Sequence, residues 1–107
     1  MINEILQYQA LSGKKPFGEW LLSLNDRNVL ARILTRLDRL QLGHFGDAKK
    51  ISAGVWELRF FFGPGYRIYF GLDGRSIVIL LCGGDKSSQA GDIRRAQEYW
   101  QDYLRRK

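Results

Sequence analysis

The sequence has little of what disulfide scaffolds and zinc modules require, because its 107 residues include one cysteine and one histidine. A single cysteine cannot form an intramolecular disulfide. Cys82 and His44 together also fall short of the three or four ligands of a typical zinc site. We therefore expect no disulfide framework, no bound metal and no other cofactor.

The sequence also lacks a long hydrophobic run. No stretch approaches the roughly 20 consecutive apolar residues that span a bilayer, and the start MINEILQYQALSGKK does not follow the basic-then-apolar plan of a secretory signal. These absences predict a soluble, cytoplasmic protein with no membrane partner. Internal repeats and Pro/Ser-rich linkers are missing as well, so residues 1–107 are predicted to form one domain.

Positive charge is what the sequence has in excess. It contains 17 lysines and arginines against 11 aspartates and glutamates, a formal net charge of +6. Such a surface favours polyanionic partners, either nucleic acid or an acidic protein that masks it. A merely soluble basic surface explains the same count, and charge alone does not decide between them.

Apolar spacing in the first half predicts a strand over residues 2–9 and then two helices. Pro16 suits the first position of a short amphipathic helix. Asn25 can cap a second helix that begins at Asp26 and ends before Gly43. The apolar stripe of the second helix consists of Val29, Leu30, Ile33, Leu34, Leu37 and Leu40. We expect Leu34 and its neighbours on this stripe to pack onto a sheet, whereas the arginines off the stripe form a solvated face or contact phosphates.

The second half predicts a loop over residues 41–54 and then three strands, over residues 54–62, 66–70 and 76–81. Gly63-Pro64-Gly65 and Asp73-Gly74 are the turns between them. Ser87 or Ser88 can cap a final amphipathic helix. The resulting order is strand, helix, helix, three strands, helix. It is an α+β arrangement, in which helices cover one face of a twisted antiparallel sheet and leave the other face partly open.

The first turn predicts which side chains share the open face. A three-residue turn centred on Pro64 makes Arg59 and Arg67 neighbours on one face, because side chains alternate along a strand. Glu57 and Tyr69 join them on that face.

The second turn predicts the surroundings of Arg67. If Leu72 pairs with Arg75, Arg67 lies opposite Leu80. Arg67 is then close to the point where the last strand runs out toward Lys86. Together the two turns predict one polar cluster, with further lysines in the loop before the sheet. Its members are Glu57, Arg59, Arg67, Tyr69, Lys86, Lys49 and Lys50.

This cluster suits phosphodiester chemistry. Guanidinium groups bind phosphate oxygens in a bidentate manner and stabilise the charge that grows in the transition state. A lysine crowded by arginines loses proton affinity and can transfer a proton near neutral pH. Ordinary cross-strand ion pairs of Glu57 with Arg59 or Arg67 explain the same pattern and stay open as the alternative.

Four segments give the sequence a resemblance to a known family. It resembles the RelE/ParE toxin superfamily, specifically the phage-derived, HigB-like addiction module killer protein branch. The segments are Gly54-Val55-Trp56-Glu57-Leu58-Arg59, Phe62-Gly63-Pro64-Gly65-Tyr66-Arg67-Ile68-Tyr69-Phe70, Leu80-Leu81-Cys82-Gly83-Gly84-Asp85-Lys86-Ser87-Ser88-Gln89 and Asp92-Ile93-Arg94-Arg95-Ala96.

The resemblance implies the toxin of a bacterial type II toxin–antitoxin pair, with a small helix-turn-helix antitoxin as partner. It further implies an endoribonuclease that cuts mRNA on the ribosome without a metal. Arg59, Arg67 and Lys86 match the family's basic catalytic positions, and Glu57 matches a carboxylate that some relatives use as a base. The resemblance does not identify the acid and the base, because neither Tyr99 nor Tyr103 matches the tyrosine that some members use near the chain end.

Two other functions stay open at this point. A ParE-like toxin has the same fold and poisons DNA gyrase by binding, without nuclease activity. A basic RNA-binding module without chemistry is the other, and the sequence predicts no exposed aromatic strand on which bases could stack. In the nuclease interpretation Lys49, Lys50 and Tyr69 contact RNA.

Overall fold

The computed structural model describes residues 3–52 and 54–107, and it confirms the α+β class. The elements in chain order are β1 (Glu4–Gln7), α1 (Pro16–Ser23), α2 (Arg27–Gln41), β2 (Ala48–Ser52), β3 (Val55–Arg59), β4 (Arg67–Asp73), β5 (Ile77–Gly84) and α3 (Gln89–Arg106). A single 3-10 turn, Lys86–Ser88, leads into α3. Strand β2 contradicts the predicted loop over residues 41–54. Ile2, in the predicted first strand, lies outside the described residues.

The five strands form one mixed sheet in the order β1-β5-β4-β3-β2. Strands β2 to β5 pair antiparallel, and β1 pairs parallel to β5. The antiparallel meander of β3, β4 and β5 is therefore confirmed, whereas a purely antiparallel sheet is wrong. Two helices and three strands separate β1 from β5 along the chain. This long connection lets the two strands lie side by side in the same direction.

The two hairpins differ in how well their registers were predicted. In β3–β4, Arg59 pairs with Arg67, as the turn at Pro64 predicts. In β4–β5, the predicted pairing of Leu72 with Arg75 is wrong, because Asp73 pairs with Ile77 and leaves a longer loop. A bulge between Tyr69 and Phe70 shifts the register again. Arg67 consequently lies opposite Gly84 and not opposite Leu80.

Helices α1 and α2 cover one face of the sheet. Asp26, not the predicted Asn25, caps α2, since its Oδ1 accepts hydrogen bonds from the backbone N–H groups of Asn28 at 2.8 Å and Val29 at 3.3 Å. The core on this side contains Phe17, Ile33, Leu40, Leu58, Phe60, Ile68, Phe70, Val78 and Leu80. Leu34 is 50% exposed, so its predicted place in the core is wrong. The buried stripe of α2 is narrower than the apolar stripe of the sequence.

Helix α3 covers the opposite face, and the prediction of a partly open sheet face is wrong. Ala96 and Trp100 of α3 are buried in a second core with Tyr8, Val55, Tyr69, Ile79, Leu81 and Cys82. The indole of Trp100 lies so close to Gly54 and Gly71 that a Cβ on either glycine would overlap it. These two glycines let α3 pack closely against the sheet. No helix in the described part of the chain is long and apolar enough to span a membrane.

Candidate functional site

Three of the predicted site residues converge where β3 ends and β4 begins. Arg59 and Arg67 are direct cross-strand partners, and Arg67 is paired on its other side with Gly84 at the end of β5. Lys86 follows two residues later and is exposed. Its backbone N–H donates to the carbonyl of Pro64 at 3.3 Å, so the start of the 3-10 turn rests on the β3–β4 turn.

Gly65 lies between the Arg67 guanidinium and the base of the Lys86 side chain. A Cβ on Gly65 would lie 3.3 Å from Nη1 of Arg67 and 3.4 Å from Cβ of Lys86. The φ of Gly65 is 77°, a left-handed value that favours glycine. We call the group formed by Arg59, Arg67 and Lys86 the cation cluster. It lies where β3 ends and β4 begins, with Arg67 beside the buried Glu57.

Arg67 is held firmly within the cation cluster. Its side chain is 12% exposed, and Nη1 donates to the carbonyls of Gly65 at 2.9 Å and Tyr66 at 3.4 Å. Its Nε lies 3.9 Å from Oε2 of Glu57, within ion-pair range but beyond a hydrogen bond. No acceptor in the described part of the chain bonds to this Nε–H group. This Nε is buried and so is not open to a ligand, and the two bonds of Nη1 hold the guanidinium in a fixed orientation.

Glu57 and Tyr69 lie beneath α3 and not on an open face, which corrects their predicted placement. Glu57 is 1% exposed and Tyr69 is fully buried. Oε2 of Glu57 accepts a hydrogen bond from the Tyr69 hydroxyl at 2.9 Å and another from Nε2 of Gln89 at 2.8 Å. Burial, and then the bond to Glu57, raise the pKa of Tyr69 above its ordinary value. This buried network holds the carboxylate next to Arg67.

Arg59 has a looser environment than Arg67. Its Nη2 lies 3.3 Å from Oδ1 of Asp47, in a pair whose side chains are about one-third exposed (35% and 32%). The backbone carbonyl of Arg59 accepts a hydrogen bond from Nη1 of Arg36 at 2.8 Å. Nη2 of Arg36 also donates to the carbonyls of Phe45 and Asp47. Arg36 thus fastens α2 to the end of β3, and burial lowers its pKa.

The glycine pair before Lys86 has a packing explanation. A Cβ on Gly83 would overlap the indole of Trp20, and a Cβ on Gly84 would overlap the carboxylate of Asp92. Asp92 is 5% exposed, and its carboxylate pairs with Arg95 and accepts from the Ser88 hydroxyl at 2.5 Å. The two glycines let α1 and α3 approach β5 closely just before the chain reaches the cation cluster.

Lys49 and Lys50 lie on the edge strand β2, not in a loop as predicted, and both are exposed. Lys49 pairs with Glu57 and Lys50 with Trp56. Cross-strand partners point to the same face, so the two lysines point to opposite faces of the sheet. The structure does not bring them together as one group.

Sequence reasoning missed two residues of this region, Arg36 and Gln89. Arg36 belongs to a helical charge run, where a solvated side chain is the ordinary expectation. Gln89 comes next to Glu57 only because α3 folds back over the sheet, a contact for which one sequence gives no local signal. Cys82, by contrast, is buried, and burial raises the pKa of its thiol to about 12. This environment keeps the thiol protonated near neutral pH.

Comparison with known proteins adds a family to this geometry. Residues 19–99 match the family described as Phage derived protein Gp49-like (DUF891). The chain belongs to the Gp49-like family. This family is part of the RelE/ParE-like toxin superfamily, and its members are commonly the toxins of toxin–antitoxin systems, which implies an antitoxin partner. The chain is also 47% identical over 81 residues to an uncharacterized protein of Haemophilus influenzae (strain ATCC 51907 / DSM 11121 / KW20 / Rd), covering 76% of this chain and 82% of that protein.

Proposed function

We propose that this Gp49-like protein is the toxin of a type II toxin–antitoxin pair and that it stops translation by cutting mRNA on the ribosome. The observation that carries the proposal is the cation cluster. Arg59, Arg67 and Lys86 meet at one end of the sheet, and Arg67 is oriented by backbone carbonyls and a buried carboxylate. Fixed donors of this kind stabilise an anionic transition state better than mobile ones. A helix-turn-helix antitoxin would be the neutralising partner.

In the proposed reaction, the 2′-oxygen of the substrate RNA attacks the adjacent phosphorus and the bond from phosphorus to the 5′-oxygen breaks. Arg59 and Arg67 bind the non-bridging oxygens and stabilise the phosphorane. The 2′-hydroxyl proton passes to water, and Lys86 donates a proton to the departing 5′-oxygen. The products carry a 2′,3′-cyclic phosphate and a 5′-hydroxyl. No step uses a metal.

Glu57 has a different role in this proposal from that of a general base. Its burial and its two hydrogen bonds at Oε2 keep it from the substrate, so we assign it as a positioning residue for Arg67. Tyr69 holds Glu57 and makes no direct RNA contact. Lys49 and Lys50 are exposed on opposite faces of the edge strand β2, so an RNA strand passing one face of the sheet meets only one of them.

The test compares variants at the two ends of the β4–β5 hairpin. Arg67→Ala should reduce ribosome-dependent transcript cleavage about a hundred- to a thousandfold, the usual loss for one preorganised donor. Arg75→Ala removes the same charge from an exposed residue at the far end of the hairpin and should leave cleavage unchanged. Because Arg67 is partly buried, exposed Lys86→Ala is the second test variant, and urea unfolding checks that each variant is folded.

Transcript 5′ ends and chromosome integrity are recorded after brief induction. A loss of transcript cleavage in both Arg67→Ala and Lys86→Ala would support the nuclease function. Full cleavage by both variants would remove the catalytic assignment. Growth arrest with broken chromosomes and intact transcripts would instead establish the gyrase-binding function.

A further inference from the structure

A cleft of about 360 Å³ lies between α2 and the segment that follows β3. Its charged and aromatic lining consists of Arg32, Arg36, Arg39, Phe60, Phe61 and Phe62. The described lining contains three arginines and no acidic side chain. A pocket of one charge sign attracts a ligand of the opposite sign. We call it the arginine–phenylalanine cleft.

The aromatic rings of this cleft are arranged for stacking. The guanidinium carbon of Arg32 lies 4.4 Å from the ring centre of Phe62, and that of Arg36 lies 4.8 Å from the ring centre of Phe60. These two rings are covered by cations. Phe61, between them in sequence, is 83% exposed. A single exposed phenylalanine is ordinary on a protein surface, but one beside three arginines provides a free aromatic face next to positive charge.

The arginines of the cleft divide into one that is engaged and two that are free to bind a ligand. Arg36 is committed to three backbone carbonyls. Arg32 and Arg39 are exposed, and neither forms a salt bridge with any residue in the described ranges 3–52 and 54–107. Both therefore keep their hydrogen-bond donors for an anion.

We propose that the arginine–phenylalanine cleft binds one nucleotide of single-stranded RNA, with its base on Phe61 and its phosphates on Arg32 and Arg39. Aromatic stacking combined with a cationic track is the usual way in which proteins bind single strands. The inference rests on the proposed function, because Phe60 directly follows Arg59 of the cation cluster. Arg36 lines the cleft and donates to the backbone carbonyl of Arg59 at 2.8 Å, so the cleft borders the cation cluster and an RNA strand bound to that cluster can extend into it.

The size of the cleft favours a nucleotide over a protein partner. A docked helix needs several apolar anchors spaced along a groove. The cleft offers one exposed ring and a volume at the lower end of the range for small-ligand sites, about 300–1,000 Å³. One exposed ring does not supply the several apolar anchors that a docked helix needs.

Direct binding tests this site without requiring cleavage. The probe is a fluorescein-labelled, mixed-sequence RNA octamer that carries a 2′-O-methyl group on every ribose, so that it cannot be cut, and the readout is anisotropy with purified protein. Phe61→Ala should weaken binding about 5- to 150-fold, the loss expected for one stacked base. Phe61→Trp should retain binding. Leu22→Ala is the matched control, since Leu22 is 85% exposed and lies on α1 outside the cleft.

Salt dependence tests the phosphate contacts. Arg32→Ala should reduce the slope of log affinity against log salt by about 0.7, the contribution of one phosphate contact on a single strand. Arg94→Ala removes the same charge from an exposed position on α3 and should leave the slope as it is. Equal slopes for the two variants would count against phosphate binding by Arg32.

Three results would overturn the assignment of the cleft. They are a lack of RNA binding by the unaltered protein, equal RNA affinities of Phe61→Ala and Leu22→Ala, and a loss in Phe61→Ala of binding to an acidic amphipathic peptide with RNA affinity intact. The last result would identify a protein-docking site. Arg67→Ala separates this inference from the proposed function, because it should reduce transcript cleavage about a hundred- to a thousandfold while octamer binding still depends on Phe61.

Discussion

Replacing Glu57 by glutamine tests whether the buried carboxylate holds the site together. The Glu57–Arg67 pair is almost fully buried, with side chains 2% and 12% exposed. Glutamine keeps the shape of the side chain and can still accept from Tyr69, but it leaves the Arg67 cation without its counter-charge. Breaking a buried pair by removing one partner costs about 3–5 kcal/mol. We expect the lower end, about 3 kcal/mol, because the hydrogen-bond acceptor survives.

Asp47→Asn provides the matched control for this change. It also neutralises one carboxylate beside an arginine, but the Asp47–Arg59 pair is about one-third exposed on each side. Exposed pairs contribute about 0–1 kcal/mol. Urea unfolding at neutral pH measures both free energies of unfolding. Equal losses for the two variants, or a loss under 1 kcal/mol for Glu57→Gln, would refute the structural role of the buried network.

Two further stability predictions follow from the helices. Ile33→Ala should lower the free energy of unfolding by about 2–5 kcal/mol, whereas Leu34→Ala should cost about 1 kcal/mol, since Leu34 is half exposed; equal costs in urea unfolding would contradict the assigned orientation of α2. The hydrogen bond from Lys107 and, to a smaller extent, the one from Tyr103 lower the pKa of Asp73 below its ordinary 3.8. The stability that these two contacts contribute is therefore present above that pH and is lost as the pH falls through the lower folded-state pKa. Asp73→Asn should therefore destabilise the protein at pH 7, and its deficit in thermal unfolding should shrink on acidification.

The local sequence pattern was sufficient to predict those elements whose start or register depends on a few neighbouring residues. The α1 helix begins at Pro16, as predicted, and the β3–β4 register follows from the turn at Pro64. Strand β2 (Ala48–Ser52) has no such signal, because it contains two adjacent lysines and its apolar and polar residues do not alternate. Edge strands tolerate this composition, since charge on an edge prevents pairing with other chains.

The pairing of Arg59 with Arg67 was predictable from the sequence, whereas the burial of Glu57 and Tyr69 under α3 was not. The prediction that Arg59 and Arg67 are neighbours required only the turn between β3 and β4. The register of the second hairpin was predicted wrongly because its loop is longer than the two-residue turn and because a bulge beside Phe70 adds a further shift. The coverage of the sheet by α3 depends on Trp100 fitting over Gly71, a contact between segments far apart in sequence.

That coverage determines what kind of site the protein can offer. Helix α3 buries Glu57 and Tyr69. The cations with solvent access in the cluster therefore lie near the strand ends, where Arg59 is about one-third exposed and Lys86 is exposed. The buried carboxylate is then more useful as a fixed counter-charge than as a base, since desolvation and two donors hold it still beside Arg67. In the proposed site, Glu57 orients the Arg67 guanidinium from beneath α3, and Glu57 itself does not contact the RNA.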